Sequence, residues 1–135
     1  MFRHPLFPIF ATVILAIALP SCGSNNPSAF RVLTGITVTP ATADARSFTN
    51  GQVQFTANGT FSLPPSPALV TSAPPYSGQF TVDNTNIATV VASGMGTITV
   101  QCVSGASGTV NVVAIASANN RSHTVISGSG QLTCP

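Results

Sequence analysis

From Leu33 onward, apolar and polar residues alternate with a period of two, the pattern of strands that keep one face in a core. The clearest run is Phe80 to Gly105, FTVDNTNIATVVASGMGTITVQCVSG. It predicts strands at 78–83, 87–92 and 96–103, parted by the polar turn Asp83-Asn84-Thr85-Asn86 and by a Gly-X-Gly turn. Ahead of it, Leu33 to Thr39 forms a first strand with Ile36 and Val38 on one face, and Pro40 ends it. Residues 41–50 are a less regular link with room for a short strand over 46–49. Gly51 to Ser62 sets Val53, Phe55 and Ala57 against Gln52, Gln54 and Thr56, with Asn58-Gly59 placed to kink or turn the chain.

Residues 63–77 hold five of the eleven prolines, which predicts either a long extended loop or a sheet edge. In 108–117, Val110 and Val112 take one face before Val113 and Ile115 take the other. Such a break marks either a bulge or a strand buried on both sides. Asn119-Asn120 makes a turn, and a last strand spans 123–134 with glycines at 128 and 130. About seven short strands with turn signals between them predict an antiparallel sandwich.

Composition agrees. The 135 residues suffice for one domain with a real core. Eight Phe and many Val, Ile and Thr argue against disorder. Only Arg3, Arg31, Arg46, Arg121, Asp44 and Asp83 are charged, and the net charge of +2 is spread along the chain. No basic patch exists to neutralise phosphates, so no nucleic-acid partner is expected.

Residues 1–21 read as an address: Arg3 and His4, then a 14-residue apolar run from Leu6 to Leu19. That run is short for a membrane span and suits a secretory signal. Leu19-Pro20-Ser21-Cys22-Gly23 then resembles a bacterial lipobox, with Pro20 its least usual member. The resemblance implies cleavage before Cys22 and acylation of that residue. Buried acyl chains contribute roughly 0.8 kcal/mol per CH₂, enough for durable anchoring by several chains. Gly23 in place of Asp implies a bacterial cell envelope location at the outer membrane. Residues 22–32 form a polar, turn-rich tether ahead of a domain at 33–135.

That domain resembles a bacterial Ig-like domain of group 2. The resemblance rests on Ile36 to Ala41, Asn50 to Ala57, Gly105 to Ala114 and above all Asn84-Thr85-Asn86-Ile87-Ala88-Thr89-Val90. It covers about 33–117, with Phe80 where the family carries Trp and a longer connection at 63–77. It implies an all-β, Greek-key, Ig-like sandwich and a structural or adhesive role toward an unknown protein or polysaccharide. Membrane contact is expected through the N-terminal lipid. A carbohydrate-binding module is the alternative, with Tyr76 at the end of the proline-rich loop either stacking on a sugar or covering the core.

With Cys22 assigned to lipid, Cys102 and Cys134 remain as an even pair in an oxidising compartment. Cys102 shares a face with Ile98 and Val100, and Cys134 with Leu132. If both faces point inward a disulfide would pin the last strand, the alternative being two buried thiols. The domain holds two carboxylates, Asp44 and Asp83, and one histidine, His123, so no catalytic site, metal or cofactor is expected. The turn at Asp83 offers oxygens to Ca²⁺, but with a single carboxylate it reads as a turn.

Overall fold

The computed structural model describes residues 30–135. The signal, Cys22 and the tether as far as residue 29 lie outside them. The described chain forms nine strands. They are β1 (Leu33–Thr39), β2 (Thr42–Asp44), β3 (Gln52–Phe61), β4 (Ala68–Leu69), β5 (Gln79–Val82), β6 (Ala88–Gly94), β7 (Thr97–Cys102), β8 (Gly108–Ser117) and β9 (Val125–Cys134). One sheet runs β1-β3-β7-β6 with β4 added to β3, and the other runs β2-β9-β8-β5.

The two sheets form a sandwich whose interior comes from the alternation. In β3, Val53, Phe55, Ala57 and Phe61 are buried. Ile98 and Val100 of β7 join them, facing Val110, Val112, Ala114, Ala116 and Leu132 from the other sheet. Each such Val, Leu, Ile or Phe contributes about 1.5–3 kcal/mol by leaving water. No polar or charged residue among those described is fully buried.

Setting aside the short β2 and β4, the order is that of the seven-strand immunoglobulin constant-type sandwich. The sandwich departs from a purely antiparallel one at a single pair, since β2 runs parallel to β9. The chain crosses from the first sheet to the second at Pro40, so β1 and β2 together close one side of the molecule. The opposite side is open, with β5 and β6 as free edges.

The link at 41–50 differs from expectation. Its strand is β2, and the 46–49 region lies in two 3₁₀ turns, Ala45–Ser47 and Thr49–Gly51. Asp44 caps the first by accepting from the Arg46 N–H at 2.9 Å. Asn50 and Gly51 take left-handed backbone in succession (φ 57° and 65°), which these two residue types tolerate best.

Asn58-Gly59 does not turn: β3 runs through it and pairs with β1 and β4. Gly59 is there for space, because a Cβ would stand 2.6 Å from Leu33 Cδ1 and 2.8 Å from the Phe61 ring. β8 carries no bulge. Its ladder to β9 is continuous, and Val113 and Ile115 are half-buried on its outer face.

Candidate functional site

Three places in the sandwich gather the residues singled out by sequence. The first is the end where β7 and β9 finish. Cys102 and Cys134 are joined there by a disulfide with Cα atoms 5.7 Å apart, tying one sheet to the other. The inward faces explain the pairing, since Ile98 and Val100 precede Cys102, and Leu132 precedes Cys134, as buried residues two apart. A hollow of about 460 Å³ lies beside the bridge, lined by Arg46, Phe48, Asn50, Ser104 and Pro135 among others.

The second is the turn after β5. Asp83 has both carboxylate oxygens engaged by Asn111 of β8, accepting from its backbone N–H at 3.0 Å and from its side-chain amide at 2.6 Å. The backbone N–H of Asp83 donates to the Asn111 carbonyl. Asn84 folds the turn by accepting from the Asn86 N–H at 3.0 Å, while the N–H groups of Ile87 and Ala88 donate to its carbonyl. The stretch that carries the family resemblance is thus a stitched corner, which delivers the buried Ala88 to the start of β6.

Among the described residues no group of three or more His, Cys, Asp or Glu is placed to hold a metal. Asp83→Ala is expected to cost about 1 kcal/mol by freeing Asn111, an exposed charge-assisted pair being worth little more. Thermal melts check this, and added Ca²⁺ should leave the wild-type midpoint in place. A Ca²⁺-dependent rise would overturn the reading of this turn.

The third is the proline-rich loop. Tyr76 is half-buried against the core, its ring edge-on to Phe61 with centroids 5.1 Å apart. Its hydroxyl donates to the Arg31 carbonyl at 2.8 Å. Arg31 was not legible as a functional residue, yet it organises this corner. Its guanidinium lies 3.5 Å over the Phe61 ring and donates to the carbonyls of Leu63 and Pro65. Of the two roles open to Tyr76, the geometry favours covering the core. Tyr76→Phe should lower stability by about 1 kcal/mol in urea unfolding, the worth of one hydrogen bond. No change would mean that the Arg31 carbonyl is equally well served by water.

Phe80, which stands where the resembled family carries Trp, is half-buried. It packs against the core and also lines an open groove of about 540 Å³ with Val90, Met95 and Ile98. That groove runs between the free edges β5 and β6. Asp44 caps a turn and Asp83 holds β8, so the two carboxylates do not form a pair. His123 sits in the 119–124 turn at the end opposite the disulfide, with left-handed backbone at φ 49°. A hollow of about 490 Å³ there is lined by Phe30, Val32, Asn119, Asn120, Arg121 and His123. Cys22 lies outside the described residues.

Comparison with known proteins returns no match: no family model, no curated protein and no solved structure is significantly similar to this chain.

Proposed function

We propose that this chain is a bacterial cell-envelope lipoprotein. Acyl chains on Cys22 would hold a sandwich of the group 2 bacterial Ig-like kind off the outer membrane, in a structural or adhesive role. The observation that carries this reading is the order of features: a lipobox at 19–23, a polar tether, then a disulfide-bridged sandwich. A structural disulfide fits an oxidising compartment outside the cytosol. Among the described residues, a core without polar groups and carboxylates spent on local hydrogen bonds support reading the sandwich as scaffold and its loops as the recognition surface.

Carbohydrate binding through Tyr76 draws less support, since its hydroxyl is occupied and its ring edge rests on Phe61. The anchor is tested by growing cells with an alkyne fatty acid. The wild-type chain should take up label and Cys22→Ala should take up none; equal labelling of both would sink the proposal.

A further inference from the structure

The two ends of the sandwich differ in charge. Both described carboxylates belong to the disulfide end: Asp44 pairs with Thr133 next to Cys134, and Asp83 bonds Asn111, which pairs with Gln131. Arg46 stands beside Asp44 at that end. The other end, where Leu33 and the 119–124 turn meet through Ala118, holds Arg31, Arg121 and His123 and no carboxylate. From Ser117 to Gly108, nine steps along β8 (117 − 108), the ends stand about 30 Å apart.

This carboxylate-free end also carries exposed apolar residues. Phe30 is 70% exposed and Val125 65%. Phe30 shares its hollow with Arg121 and His123, and Arg121 is itself exposed. It is the end from which the chain leads back toward Cys22. Eight Cα-to-Cα steps (30 − 22) lead from Cys22 to Phe30, a reach of no more than about 28 Å when fully extended.

We infer that this end docks on the surface of an anionic phospholipid bilayer. Phe30 and Val125 would enter the boundary between headgroups and acyl chains, while Arg121 meets lipid phosphates. The inference rests on the proposed anchor at Cys22, which brings the end within reach of the surface. Aromatic and aliphatic side chains beside a cation suit that boundary, where the apolar part leaves water and the charge stays at headgroup level. Attachment in one orientation turns the Cys102–Cys134 end and its loops outward, toward whatever the protein recognises.

The chain contains no tryptophan, so a single introduced one is a sole reporter. Ser122→Trp marks the docking end, and Ser104→Trp in the turn after β7 marks the opposite one. The chain from Cys22 onward, as the proposed cleavage leaves it, is coupled through its Cys22 thiol to a maleimide lipid, in vesicles of phosphatidylglycerol with a nitroxide-headgroup lipid. Coupling makes the result independent of whether cells acylate Cys22, which the labelling experiment reads separately.

Quenching of the tryptophan at 122 should exceed that at 104 by about twofold or more. It should fall toward the level at 104 in phosphatidylcholine vesicles, at high salt, and in the surface double variant Phe30→Ser with Arg121→Gln. Equal quenching at the two positions overturns the inference. So does strong quenching at 122 that survives the double variant, because the tether alone would then account for it.

Discussion

Replacing both bridge cysteines, Cys102→Ala with Cys134→Ala, is expected to lower the unfolding free energy by about 4 kcal/mol. The bridge closes a loop of 32 residues, for which loss of chain entropy in the unfolded state gives about 3.7 kcal/mol. Domains of this size have about 5–15 kcal/mol in all, so the loss is a quarter of the stability at least. The midpoint of thermal unfolding should drop by about 15–30 °C, at roughly 4–8 °C per kcal/mol. Calorimetry of the wild type with and without reductant should give the same drop. The bridge also spans the two sheets, so its removal frees β9 to leave β7. An unchanged midpoint in reductant would show that it contributes nothing to stability.

Gly128→Ala should be nearly as damaging, for an unrelated reason. A Cβ at 128 would stand 2.3 Å from the Ile36 carbonyl oxygen and 2.8 Å from its carbon. Ordinary C···O contacts begin at about 3.3 Å, so β1 would have to retreat by about 1 Å. It is not free to do so, since Ile36 pairs with Gly59 and Thr37 with Asn58.

Gly130 is under the same constraint from the Pro40 carbonyl oxygen, at 2.6 Å. Overpacking of this kind costs about 3 kcal/mol or somewhat more. Gly35→Ala is the control, because its Cβ would meet nothing closer than 4.0 Å and should shift stability by less than about 0.5 kcal/mol. Equal cost at 128 and 35 in chemical denaturation would overturn the account of this crossing.

These two features differ in how visible they are in the sequence. The cysteines were legible because each lies two residues from a buried apolar side chain, and the period alone turns both inward. Alternation likewise located β3 and β8 to within a residue. The short strands were not legible. β2 and β4 have three and two residues, too few to show a period, and β2 finds its partner 89 residues away (131 − 42).

Glycine misleads for a related reason. Asn58-Gly59 carries a turn signal locally, but Leu33 and Phe61 decide what that glycine does, and Ile36 decides it for Gly128. Tyr76 could not be assigned from its own surroundings, since its acceptor is the Arg31 carbonyl, 45 residues upstream. The end formed by Phe30, Arg121 and Val125 was invisible because it assembles residues about ninety positions apart; Phe30 read only as part of a tether.

The position of β9 in its sheet has a consequence for how the protein is made. It is a central strand, flanked by β2 and β8, and it supplies one half of the disulfide. Until residue 134 has emerged, β2 has no partner, β8 is bare along one side, and Leu132 is missing from the core. At a synthesis rate of about 5–20 residues per second, the ten residues of β9 arrive in about 0.5–2 s. The nascent domain therefore stays open until β9 has emerged and closes as a unit only then. Under the proposed export to the cell envelope, that delay would leave an unclosed chain that can still be threaded through a narrow channel.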